Sequence, residues 1–292
     1  MKHLLFGIKY VVTYPFKKKK TPLICGLVMH NNCNLRCRHC TIYDRPEHKL
    51  TYQECIAAID SFYDEGGRTL YYEGGEPMLW NDGDHTLDDI IVYAKNKGYL
   101  SNIIYTNGTM PLVSKADTIF VSIDGLEATN DYLRGRGFTK IMNNINESDH
   151  PSIYLNYTIN NYNKGVIADF CDYMSSVENI KGTFFYFHTP YYGRDELYID
   201  MESKRKVLYE LLELKGKYKI LNSKAGLRSA INNDWKRPLD ICRIYEGGTI
   251  YSCCRFNNEP ELCRECGYLS YPEINQVLQL KPSSILNAIK YF

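Results

Sequence analysis

The stretch Leu23-Ile-Cys-Gly-Leu-Val28-Met-His-Asn-Asn-Cys33-Asn-Leu-Arg-Cys37-Arg-His-Cys40 joins two kinds of signal. Its opening, Leu23 to Val28, is continuously apolar, as a strand covered on both faces requires, and such strands belong to parallel sheets. Its end, Cys33 to Cys40, is a C-x3-C-x2-C spacing on a polar loop. Three closely spaced thiols suit a soft metal ion or an iron–sulfur cluster. A zinc ion would draw a fourth ligand from His30, His39 or His48. A four-iron cluster on three thiolates instead leaves one iron open to a further ligand.

Outward from this loop the chain alternates between strand and helix. Thr51-Tyr-Gln-Glu54 is a capping-box start to a helix reaching about Asp64, with Ile56, Ile59 and Phe62 on one face. Strand Thr69–Tyr72 follows, then Gly74-Gly75, then a helix over Leu87–Lys97 closed by Gly98. Next come strand Asn102–Tyr105, a short helix near Leu112, and strand Thr118–Ile123. A helical region over Leu126–Asn146, broken at Gly135 and Gly137, leads to strand Ser152–Thr158 and helix Val166–Val177. Strand Thr183–Phe187 and helix Lys204–Leu214 complete six strand–helix units. Repeated units of this kind imply parallel strands with right-handed crossovers, hence an α/β barrel or a doubly wound sheet. Six is short of the eight that close a barrel. Near Lys217 the alternation stops, which divides the chain into a segment 1–21, a barrel-like body 22–216 and an extension 217–292.

Composition narrows the class of protein. There are 35 Lys+Arg against 34 Asp+Glu, a net charge of +1, where a general nucleic-acid binder needs a strong basic excess. Hydrophobic residues at 44% and charged residues at 24% describe a folded chain, and 292 residues allow one barrel-sized body with ample core. The 11 cysteines are odd in number and about 4% of the chain, well below a disulfide scaffold. No small-residue cleavage site follows the apolar start and no run of 18 apolar residues occurs, so a reducing cytoplasm is the expected location. There, clustered cysteines signal metal or redox chemistry. Cys25, Cys55 and Cys171 stand alone in apolar or helical contexts and are expected to be core packing.

The polar and glycine-rich positions fall after successive strands. Cys33–Cys40 follow the first, Gly74-Gly75-Glu76-Pro77 the second, Thr106-Asn107-Gly108 the third, and Asp124-Gly125 the fourth. In parallel α/β folds the loops at the strands' carboxyl ends build the active site. With C-x3-C-x2-C after the first strand and Gly-Gly-Glu-Pro after the second, the chain resembles the radical S-adenosylmethionine (SAM) enzymes, with His39 at a position where that family usually has an aromatic residue. The resemblance covers about Pro22–Leu214 and implies a partial (β/α)6 TIM-like barrel. It implies a [4Fe–4S] cluster on Cys33, Cys37 and Cys40, and SAM bound by its amino and carboxylate groups to the open iron. Reductive cleavage of SAM to a 5′-deoxyadenosyl radical that abstracts a substrate hydrogen follows from it, as does an electron donor such as ferredoxin or flavodoxin. Gly74, Gly75, Glu76 and Pro77 are implied to approach the SAM amine, the glycines by leaving room for backbone contact. Thr106, Asn107, Ser122 and Asp124 resemble its polar ribose and carboxylate contacts, Arg134 its carboxylate partner and Asn156 a ribose contact.

The remaining cysteines form a second group: Cys242, the pair Cys253-Cys254, then Cys263-Arg-Glu-Cys266. Glu246-Gly-Gly-Thr249 between β-prone Ile244-Tyr245 and Ile250-Tyr251 reads as a hairpin bringing Cys242 and Cys253 together. Cys242-(x5)-Gly248-(x4)-Cys253 resembles the opening of the twitch and SPASM extensions, although its first gap is short. That resemblance implies an auxiliary [4Fe–4S] cluster on Cys242, Cys253, Cys263 and Cys266, with Cys254 as a substitute for Cys253. A four-thiolate structural zinc site is the competing reading. Leu4–Phe16 followed by Lys17-Lys-Lys-Lys20 reads either as a cover for the open barrel or as an apolar–basic segment for peripheral contact with an anionic membrane. The substrate is unidentified: a peptide, a lipid or a small metabolite. The residues before the first strand are too few for a winged-helix peptide-binding module. A non-catalytic iron–sulfur electron carrier and a zinc-stabilised interaction protein are the alternative classes.

Overall fold

The apolar run forms β1 (Ile24–Val28), in which Cys25, Leu27 and Val28 are wholly buried. The structure, a computed structural model, describes residues 2–16, 21–42, 45–237, 240–256 and 259–291. Five further strands follow β1 in parallel: β2 (Thr69–Glu73), β3 (Ser101–Thr106), β4 (Thr118–Ser122), β5 (Ile153–Ile159) and β6 (Ile180–Phe187). A parallel array of this length leaves all six carboxyl ends on one rim, where the motif residues gather.

An N-terminal helix, α1 (Lys2–Thr13), precedes β1, and crossover helices connect the strands. Thr51 caps α2 (Tyr52–Asp64) with both halves of the expected capping box, and α3 (Leu87–Lys97) ends at Gly98 in the left-handed conformation. The helical region splits at its two glycines into α4 (Glu127–Arg134) and α5 (Phe138–Asn146). After β5 and β6 come α6 (Ile167–Ser175) and α7 (Met201–Leu214). No helix forms near Leu112. Pro111 removes a backbone donor, and the segment's carbonyls are taken from outside: Asn144 Nδ2 donates to Gly108 O and Met110 O, and Ser148 Oγ to Leu112 O.

The expected hairpin is present as β7 (Cys242–Glu246) and β8 (Thr249–Ser252), paired antiparallel. Its placement was not legible in the sequence. β7 pairs in parallel with β1, with Ile24 opposite Cys242, so the sheet runs β8-β7-β1-β2-β3-β4-β5-β6. Two cores flank it, one under α5, α6 and α7 around Ile119, Leu155 and Phe185, the other under α2 and α3 around Ile59, Tyr72 and Ile90. The inner face carries a run of rings, Tyr71–Tyr105–Phe120–Tyr154, with neighbouring centroids 5.2 to 5.9 Å apart. Gly26 makes room for it, since a Cβ there would lie 2.2 Å from the Tyr71 ring.

Beyond α7, helices α8 (Lys224–Asn232), α9 (Pro260–Arg264), α10 (Ser270–Leu278) and α11 (Pro282–Tyr291) form the C-terminal cover. In α1, Tyr10 is buried and donates to Thr21 O at 2.6 Å, while Lys17–Lys20 lie outside the described residues. No described helix is long and apolar enough to cross a membrane.

The joint between α8 and α10 depends on one carboxyl group. Glu273 accepts from Ser223 N at 2.7 Å, at the start of α8, and burial pushes its pKa up to about 7 against the lowering pull of the Ser223 donors. A raised folded pKa favours the native state fully below the unfolded carboxyl's pKa, and that contribution is lost as pH rises through about 7. Thermal melts between pH 4 and 8 should therefore show stability falling with pH, by on the order of 3 kcal/mol. In Glu273→Gln that slope should flatten; an unchanged slope would assign it to another group.

Candidate functional site

The loop leaving β1 is tied down before it reaches its cysteines. Met29 N donates to Glu73 O at 2.8 Å, and His30 forms an antiparallel bridge with Lys49. The ring of His48 lies 2.9 Å from Val28 O through Nε2, and that of His30 lies 2.9 Å from Glu76 O. Both rings thus serve as backbone ties for the loop. His39 is different. Its Nε2 lies 3.6 Å from Asp124 Oδ2, and burial pulls its pKa down to about 4, so the ring is neutral.

The Gly-Gly-Glu-Pro turn after β2 packs directly on the cysteine loop. Gly75 N donates to His30 O at 2.7 Å and Glu76 N to Asn32 O at 2.9 Å. A Cβ at Gly75 would stand 2.0 Å from Asn32 O, and one at Gly74 would stand 2.5 Å from His30 O. The close approach these glycines permit is therefore to backbone 30–32. Glu76 is also engaged within the protein. Its carboxylate is wholly buried and accepts from Met78 N (3.1 Å), Thr106 Oγ1 (2.7 Å) and Asn107 N (2.7 Å). Burial raises its pKa and the three donors lower it. Pro77 is buried at the start of a short 3-10 turn. What this turn offers a ligand is backbone.

Thr106 and Asn107 likewise serve the loop. The Asn107 amide nitrogen lies 3.7 Å from the Cys33 sulfur and donates to Asn34 Oδ1 at 2.8 Å, while Asn34 Nδ2 donates to Thr109 Oγ1 at 2.8 Å. On the other side Arg38 N donates to Leu133 O at 2.8 Å, and the Cys37 thiol lies 3.7 Å from Arg134 O. Burial pushes the Cys37 thiol up to about 11 and raises Cys40; nearby thiols raise both, and the Arg134 guanidinium opposes the rise. The three cysteines are thus brought together beside a buried cation that favours the thiolate forms of Cys37 and Cys40.

Asp124, Arg134, Ser122 and Asn156 meet next to them. Asp124 accepts from Thr158 N at 2.7 Å through Oδ1, and its Oδ2 is in ion-pair contact with Arg134 Nε at 2.6 Å, off the hydrogen-bonding line. Ser122 and Asn156 are register partners on β4 and β5, and both are half-buried. His39 Nδ1, Asp124 Oδ2, Arg134 Nε and Asn156 Oδ1 are all buried without a hydrogen-bond partner. Native proteins seldom leave such atoms unmet unless a ligand, ion or water completes them. Among the described residues every other such atom also lies near a cysteine site: Asn31 Oδ1 beside Cys33, and Arg237 Nε near Cys266.

The second group of thiols opens on a cleft lined by Cys253, Cys254, Cys263, Cys266 and Arg237, with Trp235, Tyr268 and Tyr271 among its aromatic walls. Cys253 N donates to Cys242 O at 3.3 Å, so the hairpin brings these two residues together. The Cys242 sulfur lies 3.9 Å from the Tyr71 hydroxyl on the inner face of the sheet, to one side of the cleft. Burial pushes both Cys242 and Cys266 up to about 12. No described cysteine is in a disulfide, and Cys25, Cys55 and Cys171 are buried in the cores.

Among the described residues no three His, Cys, Asp or Glu side chains gather tightly enough to hold a single metal ion. A four-iron cluster asks for something else, one thiolate per iron corner. At the first site, three adjacent loop thiols, a buried guanidinium and a cradle of unmet polar atoms fit a cluster with a zwitterionic, hydroxyl-bearing ligand beside it.

Comparison with known proteins agrees with this geometry. Residues 27–158 match the model of the radical SAM superfamily. The chain is 30% identical over 217 residues to Fe-coproporphyrin III synthase of Methanosarcina barkeri, covering 68% of this chain and 52% of that protein. It is 32% identical over 116 residues to the AdoMet-dependent heme synthase of Nitratidesulfovibrio vulgaris, covering 36% of this chain and 30% of that one. This chain therefore spans about half, or less, of those relatives' lengths. Among solved structures, SuiB of Streptococcus suis bound to its precursor peptide SuiA superposes with a TM-score of 0.65 at 16% identity, over 98% of this chain and 70% of that one. That similarity speaks for the fold alone. Through its rim, its cysteine loop and the match over residues 27–158, that part of the chain belongs to the radical SAM superfamily.

Proposed function

We propose that the rim formed by β1 to β5 binds a [4Fe–4S] cluster through Cys33, Cys37 and Cys40, with SAM in the cradle of Ser122, Asp124, Arg134 and Asn156. The observation that carries this reading is the meeting, at one rim, of three loop thiols with the buried Asp124–Arg134 ion pair and with His39 Nδ1 and Asn156 Oδ1, which are buried without a hydrogen-bond partner. Bound together, cluster and SAM would supply one-electron reductive cleavage and a carbon radical for hydrogen abstraction from a substrate. The electron would come from a donor of the ferredoxin or flavodoxin type.

The chain's own residues have separable tasks. Arg134, positioned by Asp124, presents a guanidinium to a carboxylate and stabilises the thiolates beside it. Neutral His39 borders the same ion pair and limits the entry of water. Glu76, Thr106 and Asn107 hold the loop so that Cys33 cannot swing away. The ring-lined inner face of the sheet would exclude water from the path between rim and substrate.

The second cleft, in this reading, holds an auxiliary [4Fe–4S] cluster on Cys242, Cys253, Cys263 and Cys266. The substrate stays at the level of class. The named relatives make Fe-coproporphyrin III and heme, and the named structural neighbour holds a precursor peptide.

Anaerobic reconstitution with iron, sulfide, SAM and reductant, read as 5′-deoxyadenosine, tests the first site. Cys37→Ala should abolish the product and Cys55→Ala should leave it intact; equal loss in both would overturn the division between cluster and core cysteines. Iron content tests the second site. Cys242→Ser should lose about four irons per chain and Cys254→Ser none, as expected for a cluster with four cysteine ligands. The reverse result would transfer the fourth ligand to Cys254.

A further inference from the structure

The second cleft contains charge as well as sulfur. Arg237 forms one of its walls, and its Nε is buried without a hydrogen-bond partner. The guanidinium stacks on the Trp235 ring at 3.6 Å and donates to Trp235 O at 3.4 Å and to Asn233 Oδ1. Those contacts hold the half-buried side chain on the cleft. Near Cys266, Lys204 is 4% exposed and donates from Nζ to Glu265 O at 3.1 Å. The Glu265 carboxylate itself accepts from Arg194 at 2.5 Å and from the Tyr198 hydroxyl at 3.3 Å. Among the described residues neither Lys204 nor Arg237 is in an ion pair with a carboxylate.

Lys204 is buried and Arg237 half-buried; a cation withdrawn from water without a paired anion is costly, and proteins retain one where an anion completes it. For Arg237 the groups that offset its burial are Cys266 and Cys263, ahead of Asp234. For Lys204 they are Glu265 and then Cys266. Arg237 shares the cleft wall with these cysteines, and Lys204 bonds the carbonyl of the residue before Cys266.

We propose that Arg237 and Lys204 are the counter-cations of an anionic, thiolate-bound occupant of this cleft, and that they raise its reduction potential. This rests on the reading of the cleft as an auxiliary cluster site. Positive charge next to an iron–sulfur cluster favours the state with one more electron. The two residues are positioning residues, since they act through the field they impose on the occupant.

The test uses the full chain with Cys33, Cys37 and Cys40 changed to Ala, so that only the second site takes up iron. After anaerobic reconstitution with iron and sulfide, the midpoint potential is followed by electron paramagnetic resonance. Arg237→Gln and Lys204→Gln should each shift the potential downward, and the charge-keeping Arg237→Lys and Lys204→Arg should restore it. Arg237→Met, which keeps an apolar stem over Trp235, replaces Arg237→Gln if that variant does not fold. Iron present with an unmoved potential overturns the counter-cation role and leaves the auxiliary cluster standing. A protein that takes up zinc or no metal at this site overturns both.

Discussion

A single buried carboxylate holds the first site together. Glu76 follows the glycine pair that lies on the cysteine loop, and it accepts from Thr106 and Asn107 at the end of the next strand, β3. Asn107 in turn reaches Cys33 and Asn34. One charged group thus fixes the relative positions of three chain segments that are distant in sequence. Burying it is tolerable because every donor it needs comes from the protein, and a carboxylate so placed cannot be exchanged for water without loss. The rim is braced by these bonds where the cysteines attach, whereas Asp124 Oδ2, Arg134 Nε and Asn156 Oδ1 have no hydrogen-bond partner.

The same sheet serves both cysteine groups. β1 leads into the Cys33 loop, and β7, which begins at Cys242, lies against β1 in parallel register. Arg255, adjacent to Cys254, bonds Glu246 and lies 3.3 Å from Glu73, the residue before the glycine pair; Arg45, beyond Cys40, lies 3.3 Å from Glu246. These ion pairs are half-buried or deeper, where salt screens them little. They connect the loop of one site to the hairpin of the other through side chains as well as through the backbone ladder.

Much of this was legible in the sequence. The apolar run, the capping box at Thr51 and the glycine stops at Gly98 and Gly135 are local signals, and each element stands where its signal lies. The C-x3-C-x2-C and Gly-Gly-Glu-Pro spacings located the rim for the same reason. What could not be read depends on partners distant in the chain. The helix expected near Leu112 is absent because Asn144 of α5 and Ser148 just beyond it supply the donors its carbonyls need. Glu76 looked like a group for a ligand because nothing local shows that Thr106 and Asn107 use it. Arg237 and Lys204 gave no signal, since each has a basic neighbour in the chain, Lys236 and Arg205, and nothing local shows which of them leaves the solvent.

The pairing of β7 with β1 has a consequence for the life history of the chain. β1 emerges early in synthesis and is wholly apolar at Cys25, Leu27 and Val28, yet its second hydrogen-bonding edge is covered only when residues 242–246 arrive. Until then a hydrophobic strand edge stands open, the form most prone to pairing with another copy. A nascent or truncated chain ending before Cys242 would carry that edge permanently. The hairpin that brings the second group of thiols therefore also protects the fold from self-association.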